Sequence, residues 1–148
     1  MDIVRRAARV FPRLTVAVVV NPQKRSPLFT LEERERMIRE SVADLPNVRV
    51  DHFRGLLADY LKTIEADLIV KGLRVVSDFE SEMSTALMNR SLSKDVDTAF
   101  MMASAEFSFV SSSLVKEVFF LGGDVSAFVP AHVLRTMELR RHSLTHAT

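Results

Sequence analysis

Residues 14–20 form a continuous apolar run rich in β-branched side chains, and this run constrains the fold more than any other segment. A strand that is apolar on both faces is typical of a parallel sheet covered by helices. Helical spacing of apolar residues predicts a helix before the run, at 2–9, and another after it, at 30–43. The sequence therefore predicts an α/β protein.

The same alternation continues along the chain. We predict further strands at 47–53, 67–71 and 98–103, and helices at 55–65, 77–92, 111–121 and 130–140. Thr30 and Glu33 have the spacing of a capping box at the start of the second helix. Alternating strands and helices indicate βαβ units and a parallel sheet. We expect one domain at 1–140 and a disordered tail at 141–148.

Composition limits the classes of protein that need to be considered. A chain of 148 residues with 47% apolar content can bury the core of one domain. It contains no cysteine, which excludes disulfides and thiolate metal sites. No apolar run is long enough to span a membrane, and a net charge of +1 gives no general attraction to nucleic acid. We therefore expect a cytoplasmic protein that binds neither membranes nor nucleic acid.

Parallel sheets bind ligands at the carboxyl ends of their strands. Three candidate loops begin at such ends, after Val20, after Val70 and after Met102. We expect these loops to converge on one edge of the sheet.

The third of these regions contains the sequence FSFVSSSLVKEV at 107–118. We interpret it as an apolar β-type run that ends in three serines, followed by a helix that carries Lys116. Serines cap a helix start, and free amides at the same end attract anions. The pattern fits a phosphate-binding turn and an ordinary helix cap equally well.

The remaining candidates are also ambiguous when judged from pattern alone. Lys24 is either a phosphate ligand or a solvated loop lysine. The turn predicted at 71–74 combines two cations with Gly72, where a ligand could approach the backbone closely, but it could equally be a routine turn. Glu82 fits a solvated helix face, and Leu57 fits the core.

Four motifs in order resolve the ambiguity by resemblance: NPQK with FTLEER at 21–24 and 29–34, VKGLR with DFE at 70–74 and 78–80, FSFVSSSLVKEV, and LGGDV at 121–125. Over residues 2–139 the chain closely resembles bacterial phosphopantetheine adenylyltransferases. The resemblance implies a Rossmann-like, doubly wound parallel sheet of the nucleotidyltransferase type.

The resemblance also implies roles for individual residues. Lys24 and Arg74 would act in catalysis, and the substrate-binding residues would be Lys24, Leu57 and Lys71. ATP would be bound by the residues Gly72, Leu73, Arg74, Glu82, Phe107, Ser108, Phe109, Val110, Ser111, Ser112 and Ser113, with Lys116 in the last cationic position of the motif.

The implied reaction is adenylyl transfer from ATP to 4′-phosphopantetheine, giving dephospho-coenzyme A and pyrophosphate. Mg²⁺ would be held mainly by the phosphates, and the protein would assemble as a homohexamer. The helical surface around Phe119, Phe120 and Leu121 could serve in such contacts or pack in the core.

One part of the family pattern is missing from the sequence, namely the first strand and the Thr/His-x-Gly-His motif. The resemblance implies that the chain begins one residue after the motif histidine, so that the sheet lacks its first, central strand. We expect poor folding or poor turnover as a consequence, unless translation starts further upstream. Two alternatives stay open: a related enzyme acting on nicotinamide mononucleotide, and a non-catalytic nucleotide-binding remnant.

Overall fold

The computed structural model describes residues 1–20 and 27–145, with side chains up to residue 143. The chain divides into two compact units, Met1–Ser108 and Phe109–Thr148. We call them the sheet unit and the helical unit. The four strands that the structure describes all lie in the sheet unit.

Helices and strands alternate through the sheet unit, as the sequence predicts. Their order is α1 (Asp2–Val10), β1 (Leu14–Val19), α2 (Leu31–Ser41), β2 (Val48–Phe53), α3 (Leu57–Thr63), β3 (Leu68–Leu73), α4 (Val76–Leu92) and β4 (Asp97–Met102). The predicted capping box is confirmed at the start of α2. The Thr30 side chain accepts from the amide of Glu33, and the Glu33 side chain accepts from the amide of Thr30.

The strands pair in parallel, which confirms the predicted class of sheet. Strand β1 pairs with β2 from Leu14 opposite Val48 onward, and β3 pairs with β4 from Leu68 opposite Asp97 onward. Within the described residues these are two separate two-stranded sheets, with β1 and β3 not paired to each other.

Helix α1 contacts both strand pairs. The Asn47 side chain, just before β2, donates to the carbonyl oxygens of Ala8 and Phe11, both at 2.8 Å. On the other side, the Arg6 guanidinium donates to the carbonyl oxygen of Met102 at the end of β4, at 2.6 Å. The helix therefore bridges the β1–β2 pair and the β3–β4 pair.

The helical unit contains α5 (Ser112–Phe120) and α6 (Ala131–Thr145). Val125 and Phe119 are buried within it. The Arg141 guanidinium lies 4.7 Å from the centre of the Phe119 ring, in cation–π geometry. Of the apolar residues considered for subunit contacts, Phe119 is therefore a core residue, whereas Phe120 and Leu121 are exposed.

Two local predictions are wrong. The segment starting at Phe107 is not β-type, because Ala105–Phe107 form a short 3₁₀ helix followed by a turn. The β3–β4 ladder closes with the Ala103 amide on the Leu73 carbonyl oxygen, and beyond it local bonds such as Phe107 N to Ser104 O take over. In addition, α6 continues to Thr145, so residues 141–145 are helical rather than frayed.

Candidate functional site

Lys71 lies inside β3, where it is paired with Phe100, so the prediction that a turn begins here is wrong. The strand continues because its ladder with β4 runs on to Leu73. The Lys71 ammonium contacts the Glu82 carboxylate of α4 at 3.0 Å, and each side chain is 32% exposed. The structure thus brings a predicted substrate ligand and a predicted ATP ligand together.

Arg74 follows β3 directly and is held by Asp78 in the first turn of α4. The guanidinium donates from Nε and Nη2 to the two carboxylate oxygens, at 3.1 and 3.2 Å, and the Arg74 amide donates to Oδ2 at 3.1 Å. These hydrogen bonds, with the side-chain bond to Arg74 foremost, lower the pKa of the Asp78 carboxyl. The charged form is therefore favoured, and the ion pair persists at neutral pH.

Asp78 is the residue of this cluster that our sequence analysis missed as a functional candidate. Its signal was available, because an acid four residues after Arg74 and near a helix start can pair with that cation.

Gly72 is a strand residue and not a turn residue. A Cβ at this position would lie 3.0 Å from Cγ1 of Ile3, so the glycine makes room for helix α1. Its neighbour Leu73 is 4% exposed, and its carbonyl oxygen accepts from the Ala103 amide. Since the Leu73 side chain is in the core, only its main chain could contact a nucleotide.

Lys24 and Leu57 are the predicted substrate-binding residues that follow β1 and β2. Lys24 lies outside the described residues, so its role stays a prediction. Leu57 begins α3 and packs, partly buried, against a core cluster of Leu61, Ile69 and Val96. The core interpretation of Leu57 is therefore confirmed, while its contact with substrate is untested.

The FSFV segment is divided between the two units. Phe107 ends the 3₁₀ helix of the sheet unit, and the Ser108 hydroxyl donates to the Ala105 carbonyl oxygen at 2.9 Å. In the helical unit, the Phe109 ring packs edge-on against Phe128, with ring centres 5.6 Å apart. Val110 and Phe109 line a small apolar cavity of about 120 Å³ in that unit.

The serine motif forms the start of α5, as the sequence predicts. Ser111 is the N-cap, and its side chain accepts from the Leu114 amide at 3.1 Å. Ser112 and Ser113 are exposed, and their amides precede the first intrahelical hydrogen bond. Lys116 is exposed one turn later. This end of α5 can offer amide and hydroxyl donors to an anion, and its convergence with the end of β3 stays a prediction.

The described residues provide no protein cage for a metal ion. Within residues 1–20 and 27–145, no group of three or more His, Asp or Glu side chains is placed to hold a metal. The carboxylates nearest the candidate site, Asp78 and Glu82, are paired with Arg74 and Lys71. In the same part of the chain, no helix has the length and apolar content to cross a bilayer.

Comparison with known proteins adds to this geometry. The sequence model of the cytidylyltransferase-like family matches residues 1–118, which is more than half of the chain. A protein of Heliobacterium modesticaldum named phosphopantetheine adenylyltransferase is 53% identical over 137 residues, which cover 93% of this chain and 81% of the relative. Proteins of the same name from Clostridium kluyveri and Caldanaerobacter subterraneus are 52% and 50% identical, covering 90% and 88% of this chain and 81% of each relative.

The α/β architecture with parallel strands and the family match define a nucleotidyltransferase of the cytidylyltransferase-like class. Within that class, identities of about 50% over nine-tenths of the sequence are decisive. The chain belongs to the phosphopantetheine adenylyltransferase family.

Proposed function

We propose that this chain transfers the adenylyl group of ATP to 4′-phosphopantetheine, forming dephospho-coenzyme A and pyrophosphate. The observation that carries the proposal is the name shared by relatives that align with about nine-tenths of the chain. The cations at the end of β3 suit two anionic substrates. The reaction belongs to coenzyme A biosynthesis.

In the proposed step, a phosphate oxygen of 4′-phosphopantetheine attacks the α-phosphorus of ATP in line. The bond from this phosphorus to the bridging oxygen of the β-phosphate breaks, and pyrophosphate leaves. Both substrates are anions, so the protein's main tasks are positioning and charge neutralisation. We assign neutralisation to Arg74 and Lys24, pantetheine binding to Lys24, Leu57 and Lys71, and Mg²⁺ to the phosphates.

We assign ATP binding to residues of two segments, the end of β3 and the region leading into α5. Gly72, Leu73, Arg74 and Glu82 would contact it from the first element. The contacts from the second region would come from Phe107, Ser108, Phe109, Val110, Ser111, Ser112 and Ser113. In support, Ser112 and Ser113 are exposed at a helix N-terminus, where amides and the helix dipole favour phosphate.

A pyrophosphate-release assay with matched substrates tests the reaction. The chain should release pyrophosphate from ATP with 4′-phosphopantetheine, and mass spectrometry should detect dephospho-coenzyme A. Preference for nicotinamide mononucleotide would instead indicate a related adenylyltransferase. ATP binding without turnover on either acceptor would indicate a nucleotide-binding protein and contradict the proposal.

We also propose that the chain functions in the cytoplasm as a homo-oligomer, a hexamer by family resemblance. Helix α4 supports self-association, because Val76, Met83 and Leu87 recur at helical spacing and are 81%, 41% and 62% exposed. Light scattering after size exclusion should give about six times the 16.7 kDa chain mass. Leu87→Ser should lower that mass, whereas Leu139→Ser, at another exposed leucine, should leave it unchanged.

A further inference from the structure

The Arg74–Asp78 pair differs from an ordinary surface ion pair in how many groups it ties together. Asp78 accepts from two guanidinium nitrogens and from the main-chain amide of the same arginine. Its side chain is 24% exposed, and that of Arg74 is 41% exposed. One carboxylate therefore fixes both the backbone and the side chain of Arg74.

We propose that Asp78 is a positioning residue that orients the Arg74 guanidinium toward the phosphates of ATP. The proposal rests on the function proposed above, because it assigns Arg74 a nucleotide phosphate as ligand. Asp78 itself would not touch the nucleotide. Its effect would come entirely through the orientation of Arg74.

The geometry gives a physical reason for this role. An arginine side chain has several rotatable bonds, and a phosphate that binds it must restrict them. Two parallel hydrogen bonds to a carboxylate fix the plane of the guanidinium before the ligand arrives. Asp78 sits in the first turn of α4, so the helix supplies a rigid base for these bonds.

Asp78 could alternatively compete with phosphate for Arg74. A competing carboxylate must be able to move away when the phosphate binds. Asp78 is instead held by the Arg74 amide as well as by the guanidinium, so a ligand that contacts the guanidinium leaves one of its hydrogen bonds intact. The geometry thus favours positioning, and the two roles predict opposite effects of removing the carboxylate.

The chain offers a matched control in the Arg5–Asp44 pair. There the guanidinium also contacts both carboxylate oxygens, at 2.6 and 3.1 Å. Asp44 is 60% exposed, and the pair joins α1 to the turn after α2, two segments that contain none of the predicted site residues. Asp44→Asn removes a two-bond ion pair of similar geometry without affecting Arg74.

The test is isothermal titration of the full chain with ATP, using Asp78→Asn, Arg74→Ala, the double variant and Asp44→Asn. We expect Asp78→Asn to weaken ATP binding roughly 5- to 10-fold, in the range of coupling through one positioned group. Asp44→Asn should change it by less than about 2-fold, as for a surface pair remote from the ligand. The double variant should bind ATP no more weakly than Arg74→Ala, and Asp78→Glu should restore part of the affinity.

Three results would overturn the proposal. Tighter ATP binding by Asp78→Asn would indicate competition, and additive losses of ATP affinity in the double variant would indicate a separate structural effect. The third is the absence of ATP binding by the parent chain. Pyrophosphate release is measured on the same samples. If the parent chain binds ATP and the variants follow the expected pattern without any turnover, positioning by Asp78 stands and the proposed reaction fails. If the parent chain turns over its substrates but the losses of ATP binding in the double variant are additive, the proposed reaction stands and positioning by Asp78 fails.

Discussion

The carboxyl ends of β2 and β3 lie in different strand pairs, and the carboxylates near these two ends have different partners. After β2, the Tyr60 hydroxyl donates to Asp51 at 2.8 Å, so the partner is an uncharged phenol. Near the end of β3, the carboxylates Asp78 and Glu82 of α4 pair with Arg74, just after the strand, and with Lys71, inside it. The first arrangement stabilises local structure, whereas the second holds two cationic side chains in place, each through a carboxylate of α4.

Cations at and beside the end of β3 distinguish this strand end from that of β2 as the candidate site. Both ends carry an arginine directly after the strand, Arg54 after β2 and Arg74 after β3. Of these two, Arg74 is the one whose side chain and amide are both anchored by a carboxylate of the following helix. We therefore expect substitutions at the two ends to affect different properties.

The largest expected effect comes from removing the anchored arginine. Arg74→Ala should lower turnover by ~10²–10³-fold, because in the proposed mechanism this guanidinium neutralises charge in the transition state. Arg54→Ala, at the matching position after β2, should change turnover by less than about 3-fold. Steady-state pyrophosphate release measures both. Equal losses in the two variants would contradict the distinction between the strand ends.

The next prediction concerns the pKa of Tyr60 near the end of β2, which ultraviolet absorbance of the phenol measures. Tyr60 is the only tyrosine and the chain has no tryptophan, so a titration at alkaline pH reports on this phenol alone. Burial, with a smaller contribution from Asp51, raises the pKa of Tyr60 to about 12. Asp51→Asn should lower this pKa while leaving it above the ordinary value near 10, because burial remains.

The raised pKa of Tyr60 determines how the free energy of unfolding changes with pH. A phenol that ionises less readily in the folded state stabilises the fold while both states are protonated. This contribution is complete below about pH 10 and is lost as the pH rises from about 10 to about 12. Chemical unfolding across this pH range should show the decline, and a Tyr60→Phe variant should lack it. An ordinary Tyr60 pKa would contradict the structural role assigned to the β2 end.

Glycines near the two strand ends should respond to alanine for different reasons. Gly72→Ala places a Cβ 3.0 Å from Ile3, and we expect a loss of about 1 kcal/mol because the helix must shift. Gly55→Ala meets no atom within 4 Å, but the backbone φ of +91° should cost a similar ~1–2 kcal/mol. Denaturant unfolding in an Ile3→Ala background separates the two, since only the Gly72→Ala loss should shrink there.

The smallest expected effect is on stability at the Lys71–Glu82 pair. Both side chains are about one-third exposed, so Glu82→Gln should change the free energy of unfolding by less than ~1 kcal/mol. Glu80→Gln, at an exposed position of the same helix, serves as the control. Glu82→Gln should nevertheless weaken ATP binding, while Glu80→Gln should not. A loss of several kcal/mol in stability would make Glu82 a structural residue instead.

Much of the fold could be predicted from local chemistry. The run at 14–20 and the capping box of Thr30 and Glu33 are signals within a few residues, and both structural elements are confirmed. The prediction of a turn at 71–74 is wrong because a lysine and a glycine in sequence suggest the end of a strand. Pairing with β4 instead continues the strand through Lys71 and Gly72. The apolar sequence FSFV likewise suggests a strand, but the segment begins at the end of the 3₁₀ helix Ala105–Phe107.

The candidate site was predictable in its residue types but not in its contacts. Resemblance placed Lys71, Arg74 and Glu82 in one site, and the structure brings these cations together with carboxylates of α4. The role of Gly72 beneath Ile3 could not be read from sequence, because it depends on how α1 crosses the strand pairs. The pairing of Asp78 with the Arg74 side chain could be inferred from their spacing, but its bond to the Arg74 amide depends on the backbone conformation just before α4.

The most direct test of the account is an ATP titration followed by transverse-relaxation-optimised amide spectra. If the end of β3 and the start of α5 bind one nucleotide, the amides of Gly72 and Arg74 should shift together with those of Ser112 and Ser113. Both sets should fit a single dissociation constant. Shifts confined to one set, or two different dissociation constants, would contradict a shared nucleotide site.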